Sequence, residues 1–313
     1  PLPGDFPGLP TRRARTVLPP RELPAEGLLL GHAVHGSTRH PVLLPADDRR
    51  RHCYIVGQTG TGKSTLFLGM ALQDIRAGRG VGVIDPHGDL IDQLLPRIPK
   101  ERAGDVLIID PADHERPVGL NLLEWETQEQ CYFLVQEMVA ILYKLFPPEM
   151  VGPMFEHNVR NALLTLMADR EDPGTLVEVP RIFADKDYHK RYLPKVKDQL
   201  VRDFWEKELA RTSDFHRSEM LGYLISKFDR FVGEPTLRNM IGQQRSTVNF
   251  RRAMDERRIL LVDLSKGTVG EIPSALLGML VVARLASAAL ARESVPLADR
   301  VDFHLYVDEF QNL

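Results

Sequence analysis

Nine consecutive residues constrain this chain most: Gly57-Gln58-Thr59-Gly60-Thr61-Gly62-Lys63-Ser64-Thr65. An apolar run, Cys53–Val56, precedes them, and an amphipathic stretch, Ser64–Ala77, follows and is closed by Gly78. The expected local structure is strand, glycine-rich loop, helix. Glycines let the backbone turn its N–H groups inward, and the helix start adds the positive end of its dipole at the same place. Such a cradle suits phosphate. Lys63 is placed to reach β- and γ-phosphates as a point charge, and the Ser64 hydroxyl to ligate Mg2+. Gly57, Thr59, Gly60, Thr61, Gly62, Lys63, Ser64 and Thr65 are therefore the expected nucleotide-binding residues, with ATP (or GTP) and Mg2+ as the expected cofactors.

Five short apolar runs read as strands: Cys53–Val56, Val81–Asp85, Val106–Asp110, Ile259–Asp263 and Phe303–Asp308. They are continuous rather than alternating, as in parallel strands covered on both faces. Four of the five end in aspartate. In open α/β sheets the carboxyl edge of the strands is where ligands sit, so polar residues gather there.

Between the third and fourth runs, roughly 127–254, the pattern turns helical. Gln128–Phe146 places Cys131, Leu134, Val135, Met138, Leu142 and Leu145 at steps of three and four, and Met154–Ala168 repeats this with Phe155, Val159, Ala162, Leu163 and Leu166. Further helices are expected at Leu193–Leu209 and Arg217–Val232. A block of this size is too long for a βα loop. The expected fold is α/β, a P-loop NTPase (RecA/ASCE-like) with a mostly parallel sheet flanked by helices. Residues 26–126 and 255–313 would form that ATPase domain, 127–254 an inserted all-α subdomain, and the Pro- and Arg-rich residues 1–25 an extended linker.

With 43% hydrophobic residues the chain is rich enough to bury a core, which excludes wholesale disorder. The net charge of −3 means that a nucleic-acid partner would have to be met by local basic patches. Two cysteines without a CxxC suit a reducing cytoplasmic setting. Ile272–Leu290 is the most apolar stretch but carries Arg284, so it reads as a buried helix rather than a membrane span. The chain starts at Pro1 and stops at Leu313 directly after an apolar strand and an acidic pair, and so reads as a fragment.

That strand and pair, Phe303-His304-Leu305-Tyr306-Val307-Asp308-Glu309, carry the second half of the chemistry. Asp308 is placed to hold Mg2+ together with Ser64, and Glu309 to orient and polarise an attacking water. A glutamate after the aspartate speaks for a hydrolase and against a P-loop kinase. The turn Asp85-Pro86-His87-Gly88-Asp89 has two readings: Asp85 and His87 face the nucleotide or a neighbouring subunit, or the turn only starts a helix capped by Asp89. Lys266, after Asp263, contacts phosphate or is a solvated turn lysine. The segment Arg181–Arg211 holds nine Lys or Arg against six acids, interleaved with Tyr188, Tyr192, Phe204 and Trp205. Such a mixture grips phosphates and stacks bases, or is the charged face of an amphipathic helix.

With these motifs the sequence resembles the HerA/FtsK superfamily of DNA-pumping ATPases, nearest to conjugative coupling proteins and type IV secretion ATPases (the VirD4/TraG/TraD group). The resemblance rests on Gly57–Thr65, the turn Ile84–Asp89, Ile108-Ile109-Asp110-Pro111 with Gly119-Leu120-Asn121, the segment Ile259–Gly267, and Tyr306–Asn312. It implies a hexameric ring with ATP at subunit interfaces, DNA moved through the channel, and relaxosome or secretion proteins as further partners. It also favours a nucleotide-site role for Asp85 and His87, and a location in the cytoplasm or at the cytoplasmic face of the inner membrane. The rival reading is a secretion ATPase that handles proteins and never grips DNA. Relatives carry a further core strand with a sensor residue, and an arginine, after the Asp-Glu pair. None follows Leu313 here, so the chain as it stands is expected to bind nucleotide weakly and hydrolyse little.

Overall fold

The computed structural model describes residues 16–20, 22–58, 60–185, 187–265 and 270–312. Two compact units divide the chain, Pro1–Gln73 and Asp74–Leu313. Most of the expected linker lies outside the described residues, and 16–20 and 22–25 belong to no strand or helix.

In the first unit, β1 (Leu28–His35) and β2 (Thr38–Leu44) form an antiparallel hairpin closed by Gly36 and Ser37, with a bulge between Leu29 and Gly31. Gly36 has a φ of 59°, which a two-residue hairpin turn requires. The Gln73 side chain completes the start of β1 as a strand neighbour would: its Oε1 accepts from the Leu29 amide at 2.9 Å and its Nε2 donates to the Leu29 carbonyl at 2.9 Å. Sequence reasoning missed this hairpin, although a Gly-Ser pair between two apolar runs is its signal.

The expected strand Cys53–Val56 does not form. Those residues join no ladder, and Tyr54 and Val56 are exposed. A strand exists through its neighbours' hydrogen bonds, and none of the described strands pairs here. The helix after the loop does form, from Lys63 to Arg76, and its last turn belongs to the second unit.

The second unit is built on a parallel sheet ordered β4 (Val106–Ile109), β5 (Ile259–Asp263), β3 (Gly80–Asp85), β6 (Phe303–Val307). The two central strands are buried almost throughout, which explains their unbroken apolar sequences. β6 is an edge strand, paired with β3 alone among the described residues.

Every regular element between β4 and β5 is helical among the described residues. Helix Gln128–Leu145 is capped by Thr127, whose hydroxyl accepts from the Gln130 amide, and buries Cys131, Leu134, Val135, Met138 and Leu142 as the spacing predicts. Helix Pro153–Leu166 buries Phe155, Val159, Ala162, Leu163 and Leu166. The helix expected over Leu193–Leu209 is broken: a 3₁₀ turn at Leu193–Lys195 gives way to a helix starting at Gln199, capped by Asp198, that loosens into a π turn over Phe204–Glu208. Pro194 and the capping aspartate account for the break, because one ends and the other starts helical hydrogen bonding. A single apolar core runs from Ile84, Ile109 and Val262 through Leu276 and Leu280 to Met138 and Val159, so the helices and the sheet share one interior.

Glu271–Ser294 is long and apolar enough to cross a membrane, with a mean hydropathy of 1.9, yet 61% of its apolar window is buried within the fold. The two thiols differ sharply. Cys53 is exposed, whereas burial pushes the Cys131 thiol up to about 12. A thiol reagent at neutral pH is therefore expected to label one cysteine of the folded chain and both only after denaturation. Rapid labelling of Cys131 in the native chain, read by peptide mass, would contradict the packing of helix Gln128–Leu145.

Candidate nucleotide-binding site

The glycine-rich loop is shaped by its own side chains. Gly60 and Gly62 have φ of 80° and 97°, a region that residues with a Cβ avoid. A Cβ on Gly57 would sit 2.6 Å from the Thr61 hydroxyl oxygen, so a side chain there would push that hydroxyl aside. Thr61 donates from that hydroxyl to the Gln58 carbonyl at 2.7 Å. The Lys63 ammonium donates to the carbonyls of Gly57 at 3.0 Å and Gln58 at 3.3 Å, which draws it back over the loop. Helical bonding begins with the Leu66 amide on the Gly62 carbonyl at 2.9 Å. The first turn of the helix holds no acidic residue to oppose an anion, and Ser64 and Thr65 are exposed. This cradle fits phosphate by its own geometry. Thr59 lies outside the described residues.

In the second unit the parallel register brings three aspartates to one edge. Asp85 is aligned with Asp263, and Ile84 with Val307, so that Asp308 follows at the same level. The Leu264 amide donates to the Asp85 carbonyl at 2.9 Å, and the Asp308 amide to the Ile84 carbonyl at 3.0 Å, carrying the ladder one residue beyond each strand.

The Asp85 carboxylate is buried and its oxygens are engaged by backbone. One accepts from the His87 amide at 2.9 Å, the other from Leu90 at 2.8 Å and Ile91 at 3.2 Å. These bonds fold the turn and start helix Asp89–Leu94, so the capping carboxylate is Asp85 rather than the expected Asp89. Gly88, with a φ of 85°, lies where a Cβ would approach the Ser265 hydroxyl to 2.5 Å and the Asp263 carboxylate to 3.1 Å. The turn and the end of β5 thus pack without room for a side chain. His87 is exposed beside them. Asp263 accepts from the Ser265 amide at 2.9 Å, while Lys266 and Gly267 lie outside the described residues. Asp110 accepts from the Ala112 amide at 2.7 Å and makes a turn, as expected.

Asp308 is buried, and one of its oxygens accepts from the Glu309 amide at 3.0 Å. Glu309 has a φ of 46°, a left-handed conformation that costs a residue with a Cβ about 1–2 kcal/mol. Its carboxylate is held by the Gln311 amide group.

Sequence reasoning missed a buried network behind this edge. Asp74, fully buried on the helix Lys63–Arg76, accepts from the Tyr306 hydroxyl at 2.6 Å and the Arg79 guanidinium at 2.9 Å. Tyr306 lies two residues before Asp308, so the end of the loop helix is tied to β6. The signal was available: Asp74 follows Met70 by four, a charge on the apolar stripe of an amphipathic helix.

The aromatic half of the Arg181–Arg211 reading does not hold. Tyr192, Phe204 and Trp205 are buried, and Trp205 stacks on His189 with ring centroids 4.8 Å apart. Its indole donates to Thr165 at 2.7 Å. Interleaving with charge marked amphipathic packing, not a stacking platform. Several of the basic groups are paired: Lys190 with Asp187, Arg191 with Asp172, Lys195 with Asp169, and Lys207 with Asp203.

Comparison with known proteins agrees with this architecture. Residues 28–161, which include the hairpin, the glycine-rich loop, β3 and the Asp85 turn, match the family described as the central domain of the helicase HerA. The match covers less than half of the chain. The chain also has the fold of a bacterial conjugative coupling protein, TrwBdeltaN70, in an unbound monoclinic form, with a TM-score of 0.54 and 17% identity over 87% of this chain. Plasmid coupling protein TrwB in complex with ADP and Mg2+ aligns with a TM-score of 0.52 and 16% identity over 85% of the chain. In both comparisons the chain spans 58% of the other protein's length. No curated protein matches it. The HerA/FtsK likeness read from the motifs is thus supported by a family match and by fold, and the expected α/β architecture is the one observed.

Proposed function

We propose that this HerA-type chain binds and hydrolyses ATP as the motor portion of a machine that moves DNA, or a DNA–protein substrate, in conjugation or type IV secretion. The observation that carries the hydrolytic part is Glu309: a carboxylate in a strained left-handed residue, directly after the buried Asp308 at the sheet's carboxyl edge. Lys63 neutralises charge on the β- and γ-phosphates, and the amides of the loop from Gly57 to Thr65 surround them. Ser64 and Asp308 are each candidates to offer an oxygen to Mg2+, which when bound would screen the phosphate charge and polarise the transferred group. Glu309 orients water for attack and accepts its proton. Asp85 shapes the edge from behind, and His87, exposed on the turn it folds, is the group there free to face a nucleotide or a neighbouring subunit.

The solved coupling protein with ADP and Mg2+ supports nucleotide and metal as the ligands of this fold, and conjugative coupling as its setting. Assembly into a hexameric ring at the cytoplasmic face of the inner membrane belongs to the same proposal. A second reading, an ATPase that acts on protein partners without gripping DNA, is favoured by one finding: Tyr192, Phe204 and Trp205 of Arg181–Arg211 are buried, Tyr188 is partly buried, and several of the segment's cations are paired.

Two measurements separate the readings. For the translocase, ATP turnover by the assembled protein is expected to rise on adding DNA. DNA affinity should fall steeply with salt, since each neutralised phosphate contributes about −0.7 to −0.9 to the logarithmic slope. Turnover indifferent to DNA, with a flat salt dependence, would leave the protein-handling reading.

A further inference from the structure

The chain crosses between sheet and helical block twice, outward through 119–127 and back through 243–250, and the two crossings are knitted together. Asn121, fully buried, donates to the carbonyls of Gly174 at 3.1 Å and Gln244 at 2.9 Å, and its backbone amide donates to the Ser246 hydroxyl at 2.9 Å. The Glu124 carboxylate accepts from the Ser246 amide at 3.0 Å. Where these crossings meet helix Glu271–Leu290 there is a cavity of about 220 Å³. Three arginines line it, Arg245, Arg251 and Arg284, against two carboxylates, Glu124 and Glu126. The charged side chains therefore leave one positive charge over.

Two of those guanidinium groups are under-used. Arg284 projects from an otherwise apolar helix, and among the described residues its one hydrogen bond runs from Nη1 to the Glu124 carbonyl at 2.5 Å. Burial holds its pKa below the ordinary arginine value, against the pull of Glu124 and Glu126. Arg251 makes no hydrogen bond among the described residues: its nearest carboxylates are Glu126 at 3.9 Å and Asp255 at 3.7 Å, too far to bond. Arg245 is more fully used, by the Glu171 carbonyl and, at 3.7 Å, Glu124. A guanidinium presents five donors in a rigid fork that matches the oxygens of a carboxylate or phosphate. Arg251 and Arg284 are both partly exposed where they line the cavity, so their unused donors are open to an acceptor bound there.

We propose that this cavity binds a single oxyanion group of the phosphate type, gripped by Arg284 and Arg251. Size sets the class of ligand. The cavity is smaller than the roughly 300–1,000 Å³ of drug-sized pockets, too small for a whole nucleotide but ample for one phosphoryl group with water. The leftover positive charge fits an anion. The group comes either as free inorganic phosphate or as the end of a small phosphomonoester. Bound there, it would clamp both crossings to helix Glu271–Leu290 and stiffen the root of the helical block.

The test uses inorganic phosphate on the Lys63→Ala chain, so that the glycine-rich loop does not compete for it. Trp125 lines the cavity, whereas Trp205 is buried elsewhere among Phe183, His189 and Phe204, so tryptophan emission reports on this site. At constant ionic strength, phosphate is expected to give a saturable emission change that chloride does not. Arg251→Gln and Arg284→Gln should each weaken it at least tenfold. Should Arg284→Gln fail to fold, the half-buried Arg251 still decides the matter. Phosphoserine binding ten times tighter than phosphate identifies a carried phosphoryl group, and equal binding a free anion. A response equal to that of chloride, or an affinity unchanged in Arg251→Gln, overturns the proposal.

Discussion

Glu309→Gln is expected to leave ATP binding intact and to cut hydrolysis by about 10²–10⁴-fold, the usual contribution of a positioned general base. The amide keeps the size and the contact with Gln311 but cannot accept the proton of an attacking water. Lys63→Ala is expected to remove binding and turnover together, because it deletes the one cation of the glycine-rich loop. In the present arrangement that ammonium is held by the Gly57 and Gln58 carbonyls, two neutral acceptors that a phosphate anion outcompetes. Equilibrium binding of a fluorescent ATP analogue, followed by single-turnover hydrolysis in the assembled protein, separates the two variants. Hydrolysis that survives Glu309→Gln would remove Glu309 from the reaction and leave its strained backbone without a functional account.

The largest effect on stability is expected at Asp85. Replacing it by alanine leaves three amide donors, those of His87, Leu90 and Ile91, without their acceptor at a buried strand end. Hydrogen bonds to a charged group contribute about 1.5–3 kcal/mol each, with losses at one site less than additive, so a cost of about 3–5 kcal/mol is expected. Asp85→Asn keeps one oxygen acceptor and should lose less. Urea unfolding midpoints rank the variants. The comparison also tests the role assigned from the family resemblance: if Asp85→Asn unfolds like the parent chain yet no longer binds ATP, the carboxylate contacts nucleotide after all.

The local geometry of the candidate site was legible wherever it is carried by a short contiguous run. The glycines at 60 and 62 follow from local φ, Gly57 gives room to the Thr61 hydroxyl, and Asp308-Glu309 follow the end of one strand. Helix faces were equally legible, since Cys131 to Leu142 and Phe155 to Leu166 needed only a period of 3.6. What could not be read depended on distant partners. Asp74 acquires its meaning from Tyr306, 232 residues away. Composition left the aromatics near Arg181 with two readings, a stacking surface or an amphipathic helix, because it carries no direction, whereas packing against Phe183 and Thr165 turns Trp205 in.

The same division separates the two strand ends with which the site begins. By itself the sequence determined the glycine-rich loop, the helix after it, the parallel character of the sheet and the aspartates along its carboxyl edge. All of these follow from backbone sterics and hydrophobic period, which act over a few residues. Only the tertiary structure decided that Asp85 spends its carboxylate on backbone amides, that Cys53–Val56 forms no strand, and that Arg251 and Arg284 line one cavity with donors to spare. Hydrogen-bond partnership and burial are properties of pairs brought together by the fold, and no local pattern encodes them.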